Sequence, residues 1–380
     1  MQIDIVTDPH DLERMKTEWD GLLGRSENRD VLHSHLWYAS WSGAFTRPGD
    51  MLVLAARSGR RLTAVLPLMR RSYTRKSLAL KVVSSMTNRC SGLFDVLADD
   101  PTPALLGVLF RRAFEATGRS MIVLEKVGRD AILMKQMREA AESARLLYLA
   151  RPVSENWTVR IDAPFEAFFN GRESKFKKNM RAAERKSATN GALKVFQPSC
   201  PEDLDAYLDR GFLLQSNGWK GREGSAIMQN EEARTFYKTL AAKGLEAGWL
   251  RYMLLAGNGD DMSFMYCLGA FGAIHALEIG MDERFRGMGA GMVVTKKMLE
   301  QVFAERRFDT WDFGEGRDRW KKDWSTAREL KYNVFIFPKN PLGMIYHAFA
   351  RYYHNRHPFR PYGAEEDAGD GAKGPKEGTP

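Results

Sequence analysis

The chain has 380 residues, of which 44% are hydrophobic and 28% charged, and it carries a formal net charge of +9. This balance excludes a disordered chain, no apolar run approaches the ~18 residues of a membrane-spanning helix, and the length accommodates two ordinary domains. Cys90, Cys200 and Cys267 are odd in number and widely spaced, which excludes a disulfide framework and a thiolate zinc site.

Met1–Lys16 has neither the basic nor the apolar region of an export signal, so a cytoplasmic location is expected. Helical periodicity runs over Asp11–Leu23 and Leu36–Ala44. Apolar strands come next at Met51–Arg57 and Leu62–Met69, with a hairpin turn at Ser58-Gly59. Further strands are expected at Leu78–Val83, Leu93–Leu97 and Met121–Lys126, and helices at Pro103–Thr117 and Asp130–Ala144.

A second passage begins near Trp157. It has helices at Ser174–Thr189, Pro201–Ser216 and Glu231–Ala247, then strands at Trp249–Ala256, Met262–Phe271 and Ile274–Met281, separated by turns at Asn258–Asp260 and Gly272. A helix over Gly289–Ala304, a strand at Asp309–Phe313, a short helix and a strand at Glu329–Phe337 complete it. Each passage predicts a mixed α/β fold, a mainly antiparallel sheet flanked by helices. The expected organisation is a scaffold domain over 1–156, a catalytic domain over 157–340 and an amphipathic basic-aromatic helix over 341–362. The tail Gly363–Pro380 has five acids, two lysines and no apolar periodicity, which predicts disorder and leaves the rest of the chain at +12. Such a surplus points to anionic partners: a phosphate-bearing cofactor, anionic lipid or nucleic acid.

The most informative stretch is the turn Arg286-Gly287-Met288-Gly289-Ala290-Gly291, between a strand and an amphipathic helix. Its glycines let the backbone approach a ligand, and the first N–H groups of the helix with Arg286 form an anion cradle suited to a pyrophosphate. Glycines before a helix can also mark no more than a tight connection. The spacing resembles the Arg/Gln-x-x-Gly-x-Gly/Ala motif of the GNAT superfamily, which implies acyl-CoA as co-substrate on these six residues. Further on, Asp312-Phe313, Gly316, Lys321 and Trp324 resemble the Asp-Phe-x-x-Gly-x-x-x-Tyr-Lys-x-x-Trp block of the acetyltransferase-like CelD/BcsL family, with Trp320 in place of Tyr. The resemblance implies two tandem GNAT-like folds, as in the FemABX aminoacyl transferases. In the first passage the matching place reads Ala98-Asp99-Asp100-Pro101, whose acids repel a pyrophosphate.

Acyl transfer to an amine needs a base and a polarised carbonyl. Carboxylates on or beside the cofactor strand are the candidates: Glu278 and Asp312, with His275 and Tyr266 in reserve, while a structural role for Asp312 carries nearly equal weight. Glu315 and Lys321 fall near the same strand end. Lys175, Lys178 and Arg181 form a basic stripe on one helix, read either as a solvated face or as a site for the 3'-phosphate, a carrier protein or an anionic acceptor. Trp219 sits in a loop suited to cover the acceptor. His33 and His35 lack a carboxylate at ligand spacing, so no metal is expected.

These readings predict an N-acyltransferase using acyl-CoA or acyl carrier protein. Its expected acceptor is a long-chain amine, as in the bacterial ceramide synthases of this broad family. Alternatives are an acetyltransferase of polysaccharide biosynthesis, a Fem-like aminoacyl transferase and a non-catalytic binding module. The pyrophosphate cradle argues against nucleic acid. Leu342, Ile345, Phe349 and Tyr352 share a helical face with Arg351, Arg356 and Arg360 at its end, which allows peripheral contact with an anionic membrane or simple packing on the sheet.

Overall fold

The computed structural model describes residues 1–75, 78–316 and 318–361; the side chains of residues 74–79 and of Trp219 lie outside that description, as does the tail expected to be disordered. The strands are β1 (Gln2–Val6), β2 (Met51–Ser58), β3 (Arg61–Arg75), β4 (Leu78–Ser85), β5 (Leu97–Ala98), β6 (Ile122–Gly128) and β7 (Leu146–Arg160) in the first half. The second half contributes β8 (Leu193–Phe196), β9 (Leu250–Gly257), β10 (Asp260–Ala270), β11 (Gly272–Met281), β12 (Phe308–Glu315) and β13 (Ala327–Pro338).

The expected mixed sheet with helices on its faces forms, and both halves share it. Its order is β1-β2-β3-β4-β6-β13-β7-β12-β11-β10-β9-β8, with β5 on β3. Each half repeats one plan: an antiparallel meander (β2-β3-β4 and β9-β10-β11), a helix, and a strand parallel to the last of the meander (β6 on β4, β12 on β11). The final strands are exchanged. β13 of the second half pairs with β6, and β7 of the first half pairs with β12, while β7 and β13 pair with each other. The boundary expected at 156/157 therefore falls inside a strand.

Period-2 burial explains why the sheet is covered on both faces. Along β2, Met51, Val53 and Ala55 enter one core while Leu52, Leu54 and Ala56 enter another. The first of these cores is common to both halves, because the helix His35–Phe45 meets the helix Glu231–Glu246, with Trp37 and Phe236 edge to face at 5.3 Å. Strand exchange ties the rest: Val334 and Ile336 of β13 complete the core under β6, and Trp157 and Val159 of β7 complete the core under β12.

Several local expectations are corrected. The helix expected over Asp11–Leu23 breaks at Met15, whose ψ of −1° closes one helix and opens the next. Leu93–Leu97 is strand only at its end, because Asp95 turns inward to accept the N–H groups of Ile132 and Leu133 at the start of the helix Ile132–Ser143. β1, β7 and β8 were not anticipated. No helix among the described residues is long and apolar enough to cross a membrane.

Candidate active site

β11 and β12 run parallel only as far as the pair His275↔Asp312. Beyond it, Ala276–Ile279 and Phe313–Glu315 stand apart and line opposite sides of a cavity of about 320 Å³. A bulge sharpens the divergence: Tyr266 pairs with Glu278 and Cys267 with Ala276, so Leu277 is left without a partner. The result is a cleft at the carboxyl ends of two parallel strands, the usual ligand position in open sheets.

β11 ends at Met281, Asp282 caps a 3-10 turn over Glu283–Met288, and the helix Ala290–Glu305 comes directly after. Gly289 takes φ +75°, and a Cβ there would stand 2.6 Å from the Cβ of Ala183, so glycine is required on both counts. No side chain caps this helix, which leaves the N–H groups of Ala290 and Gly291 without an intrahelical partner. Arg286, Gly289 and Gly291 line a second cavity of about 340 Å³, with Ile279, Met292, Trp320 and Trp324 among its other walls. Gly287 is exposed with open space above it; Met288 and Ala290 are anchored, their carbonyls accepting from Ser187 and Ser263. A cradle of glycine, free N–H groups and a cation fits a pyrophosphate. Arg286 itself is paired with Glu283 at 2.5 Å, so an anionic ligand competes with that carboxylate.

Glu278 stands where the cavities adjoin. It lines the 320 Å³ cavity and a smaller one of about 160 Å³, and Lys220 lines both of these and the 340 Å³ cavity at the turn. The Glu278 carboxylate accepts from Lys220 at 2.5 Å, Gln215 at 2.7 Å and Tyr237 at 3.0 Å. The first half closes the far side with Arg89–Gly92, and Arg89 donates to the Ser225 carbonyl.

The remaining candidates divide by place. His275 is buried between two carboxylates, 3.0 Å from Asp30 and 3.3 Å from Asp312. Burial opposes its charge, but the two acids outweigh it and His275 is pushed up to about 10. Burial likewise works against Asp312, yet its bond to His275, with Lys331 and Asn156 nearby, holds it below the usual carboxylate range. Both residues are thus saturated with partners and line none of the three cavities. Tyr266 is fully buried, its hydroxyl donating to the Tyr237 carbonyl.

Glu315 and Lys321 do line the cleft. Burial would raise the Glu315 carboxyl, but Lys126, which donates to it at 2.6 Å, and Lys331 draw it down. Burial lowers Lys321, whose ammonium donates to the Glu315 carbonyl at 2.6 Å. Lys175, Lys178 and Arg181 are exposed on the helix Ser174–Ala188, whose other face, Phe176, Met180 and Ala183, is buried beside the helix Ala290–Glu305. Trp219 opens a short helix over the site.

Sequence reasoning places Gln215 and Lys220 only in the loop around Trp219, with no role of their own, and misses Tyr237 and Lys331. Lys331 is 1% exposed on β13, lines the cleft, and has its pKa lowered by burial. None of these four lies in a local motif; only the exchanged strand and the helices over β11 bring them in.

Residues 174–322 match the family described as acetyltransferase (GNAT) domain. No curated protein matches the chain. Among solved structures, FemX has a TM-score of 0.59 at 13% identity, covering 91% of this chain and 99% of its own. The C-terminal domain of a putative lysylphosphatidylglycerol synthetase from Agrobacterium fabrum gives 0.53 at 14%, covering 90% and 97%. A tandem GNAT protein from the clavulanic acid biosynthesis pathway gives 0.50 at 11%, covering 88% and 98%. At these identities the likeness is one of fold.

Proposed function

We propose, for a chain that is an acyltransferase of GNAT type by its domain, that it moves an acyl group from acyl-CoA on the turn Arg286–Gly291 to an amine held beside Glu278. The observation that carries the reading is the Glu278–Lys220 ion pair, in which Glu278 lines the cleft and Lys220 lines both the cleft and the cavity at the turn. A thioester supplies an activated carbonyl and a good leaving group; the chain's own groups supply placement and proton transfer.

The acceptor ammonium gives one proton to Glu278, and its nitrogen bonds to the carbonyl carbon. As the carbon–sulfur bond breaks, Lys220 protonates the departing thiolate and recovers a proton from the new amide nitrogen. The opened edge of β11, free of β12 beyond His275, leaves backbone groups to receive the carbonyl oxygen. Tyr237 and Gln215 fix the carboxylate in place.

The walls Ile279, Met292, Trp320 and Trp324 favour an acyl chain and support a long-chain amine of lipid, sphingolipid-like biosynthesis as acceptor. Such an acceptor places the working enzyme in the cytoplasm, at the inner face of a membrane. Glu278→Gln preserves the shape of the side chain and removes the base, so kcat falls about 100-fold or more while acyl-CoA affinity is kept. A kcat within about threefold of the unaltered protein, in single-turnover assays with a long-chain amine, removes Glu278 from the chemistry.

A further inference from the structure

Helices packed on a protein turn their apolar face inward, and the helix Pro341–Arg356 does the reverse. Its inner side is Gly343, where a Cβ would meet the Pro338 carbonyl at 2.0 Å, with His347 against Phe337 and His354 against Phe335. Its outer side is a stripe at three- and four-residue spacing: Leu342, Ile345, Phe349 and Tyr352, exposed by 46, 63, 67 and 57%. Among the described residues, half of the twelve exposed large apolar side chains sit in this one helix, and the others are scattered. An apolar stripe of this kind calls for a partner.

Charge selects the partner. Residues 341–361 contain Arg351, Arg356 and Arg360 and no acid. Pairing this stripe with a second copy of itself brings like charges together, whereas an anionic surface neutralises them. Residues 363–380 offer acids but no Val, Leu, Ile, Met or aromatic side chain to cover the stripe. The helix is also oriented towards the site: Arg151 of β7 donates to the His357 carbonyl at its C-terminal end, and Ser154, three residues or about 10 Å further along β7, donates to Glu315 in the cleft.

We propose that the helix Pro341–Arg356 lies in the interface of an anionic lipid bilayer, with Leu342, Ile345, Phe349 and Tyr352 among the acyl chains and the arginines at the headgroups. This rests on the lipid-acceptor reading, to which it adds the surface that meets the membrane. Its basic end delivers the acceptor to the cleft.

The test is co-sedimentation of the full chain with vesicles of phosphatidylcholine alone and of phosphatidylcholine with phosphatidylglycerol. The unaltered protein is expected to pellet with the anionic vesicles and not with the neutral ones. Ile345→Ser with Phe349→Ser, both exposed and outside the site, is expected to weaken that binding about tenfold or more, and high salt to weaken it as well. An unaltered protein that stays in the supernatant, a double variant that pellets equally, or a concentration-dependent dimer dissolved by the same substitutions each overturns the proposal. Acyl-CoA affinity of the unaltered protein separates the two readings: affinity without vesicle binding fails the surface alone, whereas vesicle binding that the double variant loses, without acyl-CoA affinity, fails the catalytic reading alone.

Discussion

β4 and β11 hold the same place in the two halves, each closing a meander that is followed by a helix and a parallel strand, yet the turns that open those two helices differ. After β4, Asp99 pairs with Arg25 and Arg61, and the helix Pro103–Thr117 is capped by its own Thr102, whose hydroxyl accepts the Leu105 N–H. After β11 there is no side-chain cap, glycine stands at the helix start, and Arg286 reaches into the cavity. One turn is satisfied internally and the other leaves its donors for a ligand. The first half uses its connecting segment differently, sending Arg89–Gly92 across to wall the cleft of the second. Duplicated architecture here supports one cradle and one brace.

The comparison breaks most sharply at the joint between the halves. Asp30 belongs to the first, His275 and Asp312 to the second. His275→Ala leaves the buried Asp312 and the partly buried Asp30 without the imidazolium between them, and a loss of about 3–5 kcal/mol in urea unfolding is expected; a loss below about 1 kcal/mol contradicts the pairing. The pH dependence has a definite sign. His275 is raised, so its contribution is complete below its unfolded value near 6.5 and is lost as pH climbs towards about 10. Asp30 and Asp312 are lowered, so theirs is present above the ordinary aspartate range and lost in strong acid. Unfolding free energy is therefore expected to decline steadily above about pH 6.5 in the unaltered protein, and this alkaline decline is expected to be absent in the His275→Ala variant.

Smaller effects sharpen the contrast between the turns. Glu283→Gln removes the carboxylate that competes for Arg286, and acyl-CoA affinity is expected to rise about twofold to fivefold. Asp99→Asn, the matching charge removal in the first half, is expected to leave affinity unchanged in the same titration. Equal gains from both substitutions show a general charge effect and no assigned cradle.

The elements at the second-half cleft were legible because their signals are local. Alternating apolar residues and the turns at Gly259 and Gly272 mark the meander, and the glycines at 289 and 291 mark the turn that opens the next helix. β7 was illegible for a physical reason: it contains Pro152, Ser154, Glu155 and Asn156, which read as loop. In the structure Pro152 sits at a bulge, and the polar side chains find partners in the other half: the Asn156 amide and the Ser154 hydroxyl donate to Asp312 and Glu315, and Glu155 pairs with Arg328. His275 offered no clue to Asp30, 245 residues away. Lys220 and Lys331 likewise acquire meaning only from strand exchange and from the helices laid over β11.

Thermal unfolding with coenzyme A, acetyl-CoA and palmitoyl-CoA, with Arg286→Glu as control, tests the assignment of the turn Arg286–Gly291 to the phosphates of an acyl-CoA. Stabilisation of the unaltered protein by all three, greatest with palmitoyl-CoA, is expected, with its loss in the variant at unchanged ligand-free stability. No shift with any thioester, or an equal shift in the variant, contradicts it.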